Sequence, residues 1–246
     1  MLIKDIYNFL NNLSPFELQE KWDNSGLIVG SQNDEFEEVY VTLDMDIEFL
    51  DNVKENSLVI THHPLIFKGL KTINDDTYST KLLKILIKKD IKLISLHTNI
   101  DKSHLNKYVM EKVLGFKIQN ENENEFLLNA EVNMNFEEFK KLIKTKLDLE
   151  FNKSVKCHDN IKTISLCTGS GMSLIDEVKT DCFITGDIKY HDAMEAKLRG
   201  ISLIDIGHWE SERHFSPMVN ALLEEYLKIN KINVIMGENK NPFDYK

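Results

Sequence analysis

Residues 57–64 read Ser57-Leu58-Val59-Ile60-Thr61-His62-His63-Pro64, an apolar run that stops at two adjacent histidines and a proline. A run apolar at successive positions predicts a strand buried on both faces, as in parallel sheets, rather than the in–out alternation of a half-exposed strand. Its polar residues then fall at the strand's carboxyl end, where loops converge and ligands bind in parallel α/β folds. Inside a strand, neighbouring side chains point to opposite faces, so His62 and His63 could not share a site there. At its terminus they can, and Pro64 biases His63 towards an extended backbone.

Upstream lie a strand, Val39-Tyr40-Val41-Thr42-Leu43-Asp44, and a helix near 46–55. Downstream come an amphipathic helix over 79–89 and a buried strand from Ile91 to Leu96, which runs into His97-Thr98-Asn99-Ile100-Asp101. Alternating strand and helix predicts an α/β fold with substantial parallel content. After a helix over 105–115 and a polar surface loop over 119–125, the pattern returns. Thr163 to Thr168 is a strand, Gly169-Ser170-Gly171 a tight loop, 172–179 a helix, and Cys182 to Thr185 a strand ending in Gly186-Asp187. A helix over 188–199, capped by Gly200, leads to a strand that ends at Gly207-His208-Trp209-Glu210-Ser211-Glu212. The intervals Asp44–Thr61 and Thr168–Thr185 are equal, and both end in Ile-Thr. In each half the later strand ends in a histidine with a carboxylate four residues on, His97 with Asp101 and His208 with Glu212. We read an internal duplication of an α/β unit with a cleft between the halves, against the alternative of coincidence among ordinary α/β spacings.

The bulk properties narrow the function. The 246 residues are 42% hydrophobic and 28% charged, as in ordinary soluble domains. No apolar run approaches the roughly 20 residues of a membrane span, and the N-terminus lacks a signal-peptide pattern. The three cysteines, Cys157, Cys167 and Cys182, have no CxxC spacing, which suits a reducing, cytoplasmic compartment. A net charge of −10 disfavours non-specific binding to nucleic acid or anionic membrane. Lys81, Lys84, Lys88 and Lys92 form the one basic stripe, read as a solvated helix face rather than an anion-binding patch.

Imidazole and carboxylate are the ligand types of a divalent metal, and the strand-end motifs hold more of them than one ion needs. His62, His63, Asp101, His208 and Glu212 together read as metal ligands. His208 and Glu212 would share a face over one helical turn, and a carboxylate cluster needs cations to offset its own repulsion. His97 either binds metal or serves as base or orienting group. His104, His158 and His214 read as structural, and His191 as intermediate. Gly169-Ser170-Gly171 could present backbone N–H groups to a phosphate or be a simple turn. Trp22-Asp23-Asn24-Ser25-Gly26 could edge the cleft or be a capped loop.

The ordered motifs Trp22-Asp23-Asn24-Ser25-Gly26-Leu27, Thr61-His62-His63-Pro64-Leu65-Ile66-Phe67, His97 through Asp101, Thr185-Gly186-Asp187 with His191, and Gly207-His208 with Ser211-Glu212 resemble those of one family. It is the dinuclear-metal, hexameric NIF-three-like family, known as GTP cyclohydrolase 1 type 2 homologues, and the likeness runs from about residue 5 to Asn241-Pro242-Phe243. The resemblance implies two similar, intertwined three-layer α/β domains, near 1–104 with 207–246 and near 105–206, with the metal pair in the cleft between them. It implies a homohexamer and two divalent ions per subunit. Glu212 would contact both ions, Asp101 and His62 one, and His63 and His208 the other. The short chain lacks the long central insertion of some members.

The function these features predict is a metal-dependent hydrolase in which activated water attacks an electrophilic carbon or phosphorus of a small, nucleotide-like substrate. With GTP, attack falls at C8 of guanine and formate leaves, with His97 or His191 carrying protons and Gly169-Ser170-Gly171 or Lys189 holding phosphates. A two-metal phosphoesterase and a non-catalytic metal-binding or regulatory protein are the alternatives. The N/O ligand set admits zinc, iron, manganese or cobalt.

Overall fold

The run that ends in His62-His63 is a strand, Leu58–Thr61, with all four residues buried. It lies in a computed structural model that describes residues 1–120, 124–150, 153–238 and 240–244. The chain forms two compact units, Met1–Ile100 with Phe215–Lys240, and Asp101–His214 with Asn241–Lys246.

The first unit contains strands β1 (Gly26–Val29), β2 (Glu38–Thr42), β3 (Leu58–Thr61) and β4 (Lys92–Ser95), and a strand on the returning chain, Asn233–Met236. The sheet order is β1-β4-β3-β2-returning strand. Every pairing is parallel except that of β1 with β4. The register sets Thr42 beside Thr61 and Thr61 beside Ser95, so the carboxyl ends of three strands finish level. The helix Tyr78–Lys88 starts where the Thr77 side chain accepts from the backbone N–H of Thr80, a side-chain cap for an end that lacks intrahelical partners. Its Leu82, Leu83 and Leu86 pack with Tyr40, Val59 and Leu93 of the sheet.

The second unit contains β5 (Ile118–Asn120), β6 (Leu128–Asn135), β7 (Ser154–Val155), β8 (Asn160–Leu166), β9 (Cys182–Thr185) and β10 (Ser202–Asp205), in the order β5-β6-β8-β9-β10-β7. β8, β9 and β10 are parallel, and the outer pairings are antiparallel. Phe183 and Leu203 of this sheet pack with Ala196 of the helix Tyr190–Arg199, which ends at Gly200 with φ 74°. Each unit thus carries a three-stranded parallel core, β2-β3-β4 and β8-β9-β10, in agreement with the duplication read from the sequence. The registers differ slightly: β2 and β3 pair Thr42 with Thr61, whereas β8 and β9 pair Leu166 with Ile184.

Three sequence expectations are corrected. The segment after Gly171 is not an α-helix but a tighter 3₁₀ turn, Met172–Glu177, the form common in short connections. Lys92 does not extend the surface stripe, because the chain turns at Asp90, with φ 53°, and Lys92 begins β4. It is buried, and its Nζ donates to Asn56 Oδ1 at 2.8 Å and to the Asp90 carboxylate at 2.9 Å. The expected loop over 119–125 begins as edge strand, since Gln119 and Asn120 belong to β5. Its residues 121–123 lie outside the described residues. Helical turns at Thr98–Ile100 are followed by π-type turns at Asp101–Leu105 and Val109–Leu114, which stop at Gly115. Among the described residues, no helix is long and apolar enough to cross a membrane.

Candidate metal centre

In the first unit, the backbone N–H groups of His62 and His63 both donate to Leu43 O, at 3.2 and 3.3 Å. This draws the two residues in at the end of β3 and lets adjacent imidazoles approach. Thr61 accepts from Leu96 N–H at 2.9 Å, which brings His97 alongside. The ring centroids of His62 and His97 are 5.1 Å apart, those of His63 and His97 5.4 Å, and those of His62 and His63 4.8 Å. One ring nitrogen from each of the three lies within 4.8 Å of the others. His62 is fully buried and packs against Phe215 at 5.0 Å.

The opposite edge of each ring is already committed. His62 Nδ1 meets Leu96 O at 2.8 Å, His63 Nδ1 meets both Asp44 oxygens at 3.0 Å, and His97 Nδ1 meets Asp23 Oδ1 at 2.7 Å. A carbonyl or ionised carboxylate only accepts, so Nδ1 is the donor in each contact and Nε2 is the nitrogen that would serve as a metal ligand. Acceptors that hold the far nitrogen in this way orient metal-binding histidines and raise their basicity.

In the second unit, Gly207 has φ 72° and starts the short helix His208–Glu212. His208 Nε2 lies 3.0 Å from Glu212 Oε2, so the expected one-turn pairing is present. His208 Nδ1 is held by Asp187 Oδ2 at 2.7 Å, which repeats the arrangement at His63. Asp101 opens the π-type turn after Ile100. Burial pushes the Cys167 thiol far above its usual range, and the charges of Asp101 and Glu212 add to the effect, so both carboxylates act on this one strand end. Of the expected ligands, His62 and His63 stand beside His97 in the first unit, and His208 pairs with Glu212 in the second, the unit that also contains Asp101. Borderline imidazole nitrogens with hard carboxylate oxygens suit zinc, iron, manganese or cobalt, so the donor chemistry fits divalent ions.

Other candidates have different roles. Gly169 N–H donates to Ser211 Oγ at 2.9 Å and Gly171 N–H to Thr185 Oγ1 at 2.9 Å, so neither amide is available to a phosphate. Gly169 instead makes room, because a Cβ there would come within 2.1 Å of Glu212 Oε1. His191 is exposed, its ring edge-on to Tyr190 at 5.3 Å. His158 Nε2 donates to Gly200 O at 2.7 Å, a structural bond. Sequence reasoning passed over Asp44 and Asp187 as histidine anchors. Their signal was a carboxylate at a strand end, which became meaningful only once the histidine across from it was known.

The Trp22 loop is an anchor as well as an edge. Asp23, whose side chain is fully buried, accepts from His97 and Thr98 of the β4 end and from Asn24 N–H and Ser25 Oγ of its own loop. Burial would raise its pKa, but the hydrogen bond and charge of His97, with the bonds from Thr98 and Asn24, outweigh that and hold it well below the usual carboxylate range.

Fold and donor sets together define a duplicated α/β protein with histidine–carboxylate groups suited to divalent metals. The sequence model of the Duf34/NIF3 (NGG1p interacting factor 3) family matches residues 1–242, and the chain belongs to that family. It is 49% identical to a Campylobacter jejuni protein named GTP cyclohydrolase 1 type 2 homolog, over all of both chains. It is 46% identical to the Helicobacter pylori GTP cyclohydrolase 1 type 2, over 92% of this chain and 93% of that one. A Staphylococcus aureus protein of known crystal structure superposes with a TM-score of 0.85 at 29% identity, over 100% of this chain and 99% of the other.

Proposed function

We propose that this chain holds two divalent metal ions through His62, His63, Asp101, His208 and Glu212 and is a hydrolase of a nucleotide-like small molecule. The observation that carries this reading is the shared orientation of the histidines. Three different carboxylates, of Asp44, Asp23 and Asp187, and one carbonyl hold Nδ1 of four rings, which makes Nε2 the ligand nitrogen of each. The name of the Helicobacter pylori relative supplies the substrate class, GTP.

A bound divalent pair supplies Lewis acidity and a water nucleophilic near neutral pH. The protein's own part is to position and to move protons. His97, backed by the Asp23 carboxylate, stands beside His62 and His63 as a group able to accept a proton. His191 is the second candidate, on an exposed helix where it can exchange with solvent. Glu212, in contact with His208 and nearly buried, is shielded from bulk water. The family resemblance supports a homohexamer as the working assembly, and the cysteine usage supports a cytoplasmic one.

The test uses natively purified full-length protein. Metal analysis should find about two divalent ions per chain. Asp44→Asn should weaken metal binding about 10–100-fold, the usual effect of losing such an anchor. With metal restored, GTP should yield formate, and His62→Ala should abolish it. No turnover of GTP with zinc, iron, manganese or cobalt would sink that substrate, and release of inorganic phosphate without formate would make the protein a phosphoesterase.

A further inference from the structure

Beside the His62–His63–His97 group, two large rings stand in solvent: Trp22 is 57% exposed and Phe67 43% exposed. Their centroids lie 5.6 Å apart with planes at 49°, and each is 6.2 Å from the His97 ring, edge-on to it. Both rings are held on fixed supports. Asn24 Nδ2 donates to Ile66 O at 2.5 Å, tying the Trp22 loop to the residue before Phe67, and Asp23 binds the same loop to His97 and Thr98. Leaving two aromatic side chains in water forgoes the stabilisation their burial would give. A rigid pair kept this way next to candidate ligands indicates a binding surface.

We propose that Trp22 and Phe67 receive the purine ring of the substrate, which stacks on the indole face while Phe67 closes its edge. The inference rests on the nucleotide reading above and deepens it. A flat bicyclic ring matches the flat bicyclic indole, and base–aromatic stacking requires only a π-face. The third side of the corner is His97, whose ring is 5.1 Å from that of His62. A purine on Trp22 therefore lies about one ring's width from the histidine set, where a reacting ring carbon has to be. A protein surface seated on the pair would stand against the same histidines and would add nothing to the chemistry there.

The test is saturation-transfer NMR on metal-stripped, full-length protein with guanosine and, separately, inorganic triphosphate. Guanosine should receive saturation at H8 and triphosphate should not compete with it. Trp22→Ala should weaken guanosine binding on the order of tenfold to a hundredfold, and Trp22→Phe should retain most of it. Zinc titration of Trp22→Ala should match wild type, because Trp22 holds no ligand. A wild type that loads zinc but does not contact guanosine overturns the platform and leaves the metal reading standing. Guanosine contact that Trp22→Ala abolishes, in a protein that loads no metal, supports the platform and overturns the metal reading. Unchanged guanosine binding in Trp22→Ala, with a changed native mass, would make the pair a subunit contact and end the proposal.

Discussion

Glu212 has room for its carboxylate because residue 169 has no side chain. Gly169 sits at φ 64°, and a Cβ there would also come within 3.5 Å of His208 Nε2. Gly169→Ala should therefore push the Glu212 carboxylate aside and lower metal content, with a smaller cost of about 1–2 kcal/mol in stability from the left-handed backbone. Metal analysis beside urea unfolding separates the two, and an alanine variant with full metal content would show that Glu212 is not a ligand. The sequence marked both glycine and carboxylate but left the glycine loop open between a phosphate cradle and a simple turn. Forty-three residues of chain separate 169 from 212, and only the folded backbone makes them neighbours.

At the scale of elements, the Trp22–Ser25 loop is fastened to the end of β4 by one carboxylate. Asp23→Asn should cost about 3 kcal/mol at pH 7, since a buried acceptor of several hydrogen bonds loses its charge. The folded carboxyl titrates below its ordinary value of 3.8. Its stabilisation is thus complete above that value and is lost as pH falls through the lower folded value. The gap between wild type and Asp23→Asn should stay constant from pH 7 to about 5 and narrow towards pH 3. A gap that widens on acidification would contradict the arrangement. The central strands make a second prediction. Cys167 and Cys182 are buried, and burial pushes both thiols up, while Cys157 is only partly covered. A thiolate reagent should label Cys157 alone in the native protein, and all three cysteines after denaturation. Early labelling at Cys182 would mean that β9 opens without global unfolding.

For the whole molecule, the chain completes most of the first unit by Ile100, builds the second, and returns at Phe215 to add its last strand beside β2. Neither unit is a continuous stretch of sequence, so truncation after residue 100 should leave β2 without its outer partner and give an unstable fragment. The proposed homohexamer predicts a native mass six times that of one chain by light scattering. A monomer at micromolar concentration would remove that part of the proposal.

The sequence by itself determined the α/β class, the repeated parallel core and the histidine and carboxylate motifs, because buried parallel strands are written as local apolar runs with polar residues at their ends. The place of Lys92 in the basic stripe and the helix after Gly171 were misread for the same locality: spacing alone does not register a turn at Asp90 or a connection too short for α-helix. Only the tertiary structure decided which nitrogen each histidine presents, what Gly169 is for, and that Trp22 and Phe67 share a corner with His97. Those facts depend on contacts between residues such as Asp44 with His63 and Asp23 with His97. Pairing across strand ends leaves no periodic trace in the chain that carries it.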